Sequence, residues 1–221
     1  PEDEDLPEWY AQIHAWRALA QLKAEEAIPA IVGILHQIDD DDDDWFGEDA
    51  EDVFAAIGPA AIRPLARYLA NDENLLYARV AAASSLRSIG STHPETREEC
   101  ARVLASVLEN YESNDEGLNS FLIYDLVELK AVEHIDLIEK AFASERVDKF
   151  VMGDFEDVQM ELGLIEKRTK PKQRLRWLDH FGQKTDGQMV PSERNSKKVE
   201  KKEKKKSKQE KKARKKNRKK K

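Results

Sequence analysis

Ala83-Ser-Ser-Leu-Arg-Ser-Ile-Gly90 ends one apolar helix pattern, and three other segments end a pattern in the same way. They are Ala18-Leu-Ala-Gln-Leu-Lys23, Phe54-Ala-Ala-Ile-Gly58 and Asp125-Leu-Val-Glu-Leu-Lys130. Aligning Leu22, Ile57, Ile89 and Leu129 gives steps of 35, 32 and 40 residues. A period of that size marks stacked helical hairpins, because one hairpin cannot bury its own apolar face and needs neighbours. The fold expected is therefore all-α, a right-handed α-solenoid of about five hairpins.

Working outward, Trp9, Ile13, Trp16 and Ala20 make a single apolar stripe, so a first helix is expected over Trp9–Leu22. Its partner covers Ala27–Ile38, with Pro29 in the first turn, where backbone donors lack intrahelical partners anyway. The second pair is Ala50–Ile57 and Ala60–Ala70, separated by Gly58-Pro59, a glycine stop followed by a proline start. The third is Leu76–Ile89 and Pro94–Tyr111, where Thr92 and Glu95 have capping-box spacing. Leu118–Leu129 and Val132–Ser144 form the fourth, and Asp154–Leu164 closes the stack. The domain division expected is an acidic segment over 1–8, the repeat body over 9–165, a linker over 166–192 with one short helix through Leu175, Leu178 and Phe181, and a tail over 193–221.

The net charge of −7 over 221 residues conceals a strong asymmetry. Residues 1–165 carry 12 Lys or Arg against 37 acids, whereas residues 193–221 carry 18 Lys or Arg against four Glu. Lys204, Lys205, Lys206, Lys211, Lys212, Arg214, Lys215, Lys216, Arg218 and Lys219 are the centre of that tail and the candidates for contact with nucleic acid. The tail has no aromatic residue on which bases would stack, so any such binding is expected to be salt-sensitive and sequence-independent. Its apolar content is too small to offset the entropy of ordering it, and disorder is expected there. No apolar run approaches the roughly 20 residues that cross a bilayer. A single cysteine, Cys100, excludes an intramolecular disulfide framework and fits a reducing cytoplasm. The chain opens on Pro1 without a signal peptide, as a fragment or processed form does.

Tyr77-Ala-Arg-Val-Ala-Ala-Ala-Ser-Ser-Leu-Arg-Ser-Ile-Gly90 resembles the first helix of a short HEAT repeat of the phycobilisome-lyase-like type. Gly58-Pro-Ala-Ala-Ile-Arg-Pro-Leu-Ala-Arg-Tyr-Leu69 resembles the junction and second helix of such a unit. The resemblance runs from Trp9 to Leu164 and extends to a bacterial group of HEAT-repeat proteins of undefined role. It implies a superhelix whose second helices line a concave surface for protein partners. Some relatives attach or detach bilins, and the resemblance implies a bilin-lyase-like subunit as an alternative function. No short motif for that chemistry can be placed on this chain.

The aspartate run Asp39, Asp40, Asp41, Asp42, Asp43 and Asp44 is the most conspicuous local feature. Read as a calcium loop, Asp40, Asp42 and Asp44 take positions 1, 3 and 5, with Glu51 at position 12. Trp45 then stands at position 6, where a sharp turn requires glycine. The run reads first as a solvated loop and second as a docking loop for a basic partner. Trp45 and Phe46 beside it are candidate aromatic anchors, or else fold back over the neighbouring repeat. Cys100 falls on the buried stripe with Val103, Leu104 and Val107 and is expected to be a small inert hydrophobe. The five histidines are scattered, and neither a nucleophile elbow, a zincin motif nor a phosphate loop occurs.

The sequence thus points to a noncatalytic scaffold or adaptor whose acidic body holds a basic protein and whose tail adjusts binding electrostatically. The alternative is a factor tethered to RNA or the ribosome by its tail. No cofactor or small-molecule ligand is expected.

Overall fold

The computed structural model of the chain describes residues 8–40 and 44–169, with side chains over 11–40 and 46–169. Every regular element among the described residues is helical. The α-helices are α1 (Glu8–Gln21), α2 (Ile28–Gly33), α3 (Gln37–Asp40), α4 (Asp44–Ile57), α5 (Ile62–Ala70), α6 (Leu76–Thr92), α7 (Arg97–Leu108), α8 (Glu116–Glu128), α9 (Ile135–Ala143), α10 (Lys149–Met152) and α11 (Phe155–Glu161). No described helix is long and apolar enough to cross a membrane. The expected linker helix, with Leu175, Leu178 and Phe181, and the basic tail of 193–221 lie outside the described residues.

One hairpin plan recurs. A single turn of 3-10 helix precedes each of four second helices: Glu25–Ala27 before α2, Pro59–Ala61 before α5, Pro94–Thr96 before α7 and Val132–His134 before α9. The helices that follow begin at Ile28, Ile62, Arg97 and Ile135, spaced 34, 35 and 38 residues. The first and fourth hairpins turn alike, because Lys23 and Lys130 adopt left-handed backbone angles (φ 51° and 53°) just past the helix end. The next backbone N–H then returns to the helix, Ala24 to the Leu19 carbonyl at 3.0 Å and Ala131 to the Leu126 carbonyl at 2.9 Å. Gly58 makes the turn in the second hairpin with φ 103°, a conformation L side chains rarely adopt.

Gly90 has a different job from the helix stop its position suggests. Helix α6 continues through it to Thr92. A Cβ on Gly90 would lie 3.1 Å from both Cys100 Cβ and Leu129 Cδ2, so its smallness lets α6 approach α7 and the end of α8. The capping box expected from Thr92 and Glu95 does not form. Thr92 is still inside α6, and Thr96 before α7 donates its hydroxyl to the His93 carbonyl at 2.8 Å.

Two further boundaries differ from expectation for local reasons. The helix expected over Ala27–Ile38 divides into α2 and α3, and His36 Nδ1 donates to the Gly33 carbonyl at 2.8 Å, occupying an acceptor that a continuous ladder would use. Helix α4 starts six residues before the expected Ala50, because Phe46, Ala50, Val53, Phe54 and Ile57 share one buried stripe. Trp45, Phe46 and Gly47 are therefore helical rather than part of a loop.

The first helices α1, α4, α6, α8 and α10 pack side by side as one layer, and α2, α5, α7 and α9 pack behind them as a second. Helix α6 is the hub, touching α4, α5, α7 and α8. Between the layers Leu65, Leu69, Leu86, Ile89, Leu104, Leu108, Leu122 and Leu126 are fully buried. Each such side chain contributes roughly 1.5–3 kcal/mol relative to exposure. Several interior polar groups have partners: Asn119 donates to the Tyr111 and Arg146 carbonyls (2.9 and 2.8 Å), and Arg79 Nε closes the end of α5 at the Leu69 carbonyl (2.9 Å). All described residues belong to the compact unit Pro1–Pro171.

Candidate partner-binding groove

The outer face of α6 reads Tyr77, Val80, Ala81, Ser84 and Arg87, residues spaced to lie along one side of the helix. Small side chains at Ala81 and Ser84 leave a trough there. Gly47, Glu48 and Glu51 of α4 form one wall, and Phe121 and Tyr124 of α8 form the other. Ile38 of α3 and Val151 of α10 line its further reaches. The resulting groove encloses about 660 Å³, within the roughly 300–1,000 Å³ typical of concave binding sites. It crosses the layer of first helices. The HEAT resemblance assigns the recognition face to the second helices.

Two rings in the groove remain open to solvent, Tyr77 at 59% and Tyr124 at 43% relative exposure. At its base, Arg87 bridges three helices. Its Nε donates to Asp125 Oδ1 of α8 at 2.9 Å, and its Nη2 pairs with Glu51 of α4. Asp125 is fully buried, and its Oδ2 has no hydrogen-bond partner. Burial pushes the Asp125 carboxyl up to about 7; Arg87 opposes this rise, and Glu51 and Glu128 add to it. Arg87 is thus shared between two carboxylates, and with Glu48 and Glu51 lining the groove, the carboxylates outnumber its cation. The arrangement suits noncovalent capture of a cation flanked by apolar surface.

The aspartate run is used differently along its length. Asp39 accepts from the backbone N–H groups of Tyr77 (3.1 Å) and Ala78 (2.7 Å), so it caps α6 from 38 residues away. Asp40 ends α3 and is exposed. Asp41, Asp42 and Asp43 lie outside the described residues, as do the side chains of Asp44 and Trp45, which open α4. Phe46 is fully buried, with its ring centroid 4.7 Å from that of Trp16. That ring is part of the α1–α4 core. The tail candidates from Lys204 to Lys219 also lie outside the described residues.

Cys100 is fully buried in α7, and burial pushes its thiol up to about 11, a setting without nucleophilic thiolate at neutral pH. Among the described residues no group of three His, Cys, Asp or Glu side chains is placed to hold a metal ion. No local motif marks the groove residues Tyr77, Arg87, Tyr124 and Asp125, since their meeting depends on the packing of α6 against α8. One signal was present. Asp125 lies on the same stripe as Leu118, Leu122 and Leu129, where a carboxylate interrupts an apolar row.

The molecule is thus a protein of paired helices carrying an acidic, aromatic-lined groove on one layer. It belongs to the family described as protein of unknown function (DUF1186), which matches residues 3–180. No curated protein and no solved structure matches the chain.

Proposed function

We propose that the chain is a noncatalytic interaction scaffold of the cytoplasm, a right-handed solenoid of about five short HEAT-like hairpins whose acidic body holds a basic protein. The hairpin plan, with second helices starting every 34 to 38 residues, supports the repeat assignment. The observation that carries the functional reading is the groove, where exposed tyrosines stand beside carboxylates that outnumber their one cation. The body's excess of 25 negative charges over residues 1–165 extends the same preference to long range. The tail, with a balance of +14 over 193–221, competes with basic partners for that field and so lowers their affinity at low salt.

Immobilised full-length chain and immobilised residues 1–171 test this in a cell lysate, each at low and moderate salt and after nuclease treatment. A basic protein held by both forms after nuclease, and more tightly by the shorter one at low salt, is the expected result. Retention by the full-length chain alone, abolished by nuclease, would replace this reading with that of a nucleic-acid factor tethered by its tail.

A further inference from the structure

Three features of the groove, taken together, specify its occupant more narrowly than net charge does. The first is aromatic surface. Tyr77, on the α6 floor with Ala81 and Ser84, and Tyr124, on the α8 wall, keep 59% and 43% of their area exposed. Exposed rings flanking a concavity form the kind of pocket in which interface anchors are buried. The second is the sign of the charge. Glu48 and Glu51 lie three residues apart on α4 and therefore on one rim. The third is the state of the cation. Arg87 has Nε committed to Asp125 and Nη2 to Glu51, so an incoming carboxylate or phosphate would have to compete with two resident carboxylates. A basic ligand competes with Arg87 only at Glu51 and finds Glu48, an exposed carboxylate with no described partner, on the same rim.

Deepening the scaffold reading, and resting on it, we propose that this groove is the docking site for a peptide segment in which Lys or Arg alternates with bulky apolar residues. An apolar side chain of the segment lies between Tyr77 and Tyr124 over Ala81. The neighbouring cation sits at the Glu48–Glu51 rim, its aliphatic stem against a tyrosine face, where the ring quadrupole adds to the carboxylate attraction. Neither half suffices alone. Screening limits a rim contact in solution to a modest contribution, and an apolar contact without the rim has no preference for basic partners.

The test uses the full-length chain and three labelled peptides of about twelve residues, read by fluorescence anisotropy at low and moderate salt: alternating Lys and Leu, alternating Lys and Ser, and alternating Glu and Leu. The Lys–Leu peptide is expected to bind about tenfold more tightly than Lys–Ser, the equivalent of roughly 1.4 kcal/mol, and the Glu–Leu peptide most weakly. Tyr77→Ser combined with Tyr124→Ser is expected to remove that tenfold preference. Glu48→Lys weakens both basic peptides, while Glu98→Lys on α7, behind the groove layer, leaves the preference intact. Far-ultraviolet dichroism checks that the variants keep their helix content, and Glu48→Lys, on an exposed position, tests the groove if the tyrosine pair disturbs folding. Equal binding of Lys–Leu and Lys–Ser, unchanged by either groove variant, overturns the groove proposal and leaves a diffuse acidic scaffold. Failure of both basic peptides to bind overturns the scaffold reading as well.

Discussion

Asp49 and Asp125 sit in the same layer of helices, and each is bound by an arginine from the helix next to it, yet their environments push them in opposite directions. Asp49 on α4 receives three donors: Arg17 Nε at 2.6 Å, Arg17 Nη2 at 2.9 Å and Trp16 Nε1 at 2.8 Å. Arg17 first and Trp16 after it hold its carboxyl below the usual carboxylate range, against the smaller opposing effect of burial. Asp125 on α8 receives one donor, Arg87 Nε, and has a second oxygen with no partner in a fully buried position. There desolvation wins, and the carboxyl rises to about 7. An arginine nearby therefore does not decide the outcome. The number of hydrogen bonds to the charged form, weighed against the water removed, decides it.

Replacing Asp125 by Asn breaks that comparison most sharply. A carboxyl whose folded-state value lies above its unfolded one binds its proton more tightly in the native protein. Its stabilising contribution is complete below about pH 4 and is lost as the pH rises towards about 7. The amide that replaces it has no such proton to lose. Relative to the parent, the Asp125→Asn protein should thus gain about 2–4 kcal/mol between pH 4 and pH 8, measured by urea unfolding at both ends of the range. A difference that stays constant with pH would show that Asp125 holds no extra proton in the folded state, and Arg87 would then be the stronger partner.

These two carboxylates also show which parts of the molecule the sequence discloses. Helix type and pairing follow from local periodicity. Ile57, Ile89 and Leu129, aligned by the repeat, are all buried at helix ends. Leu22, aligned with them, is 77% exposed, because no earlier hairpin covers it among the described residues. The groove is another matter. Glu51, Arg87 and Asp125 are 36 and 38 residues apart, a separation set by the repeat itself, and no motif of consecutive residues encodes their meeting. The aspartate run is conspicuous because six acids adjoin in the chain. Only Asp39 among them has a described partner, and those partners are backbone donors at the far end of the same groove.

Asp39 provides an intermediate case, a carboxylate that receives two backbone donors and no arginine. Asp39→Ala leaves the first turn of α6 without its cap and is expected to cost about 1–2 kcal/mol. The neighbouring exposed Asp40→Ala should stay within roughly 0.5 kcal/mol of the parent. Because Tyr77 stands in that first turn, Asp39→Ala should also weaken the Lys–Leu peptide, whereas Asp40→Ala should not. Equal stability losses in the two variants would mean that general acidity of the run matters more than the cap.

Asp49→Asn is the mildest change and has the opposite pH signature. A carboxyl held below its unfolded value stabilises the protein above about pH 4, and that contribution fades as acid protonates it. The Arg17 side chain is half exposed, so solvent and salt weaken the pair, and the loss at pH 7 should not exceed about 1 kcal/mol. The loss should shrink below pH 4 and at molar salt. Urea unfolding of parent and variant at pH 3 and pH 7 reads this directly, and the variant's deficit falls only below about pH 4, where the pH-dependent change of Asp125→Asn is already complete. The two signatures separate by pH: the Asp49→Asn deficit fades as acid protonates a carboxyl that Arg17 and Trp16 hold in its charged form, whereas the Asp125→Asn difference changes at higher pH, where the parent loses the proton its burial favours. A deficit for Asp49→Asn that persists at pH 3 would assign its role to packing around Trp16 and Phe46 and leave charge with no part in it.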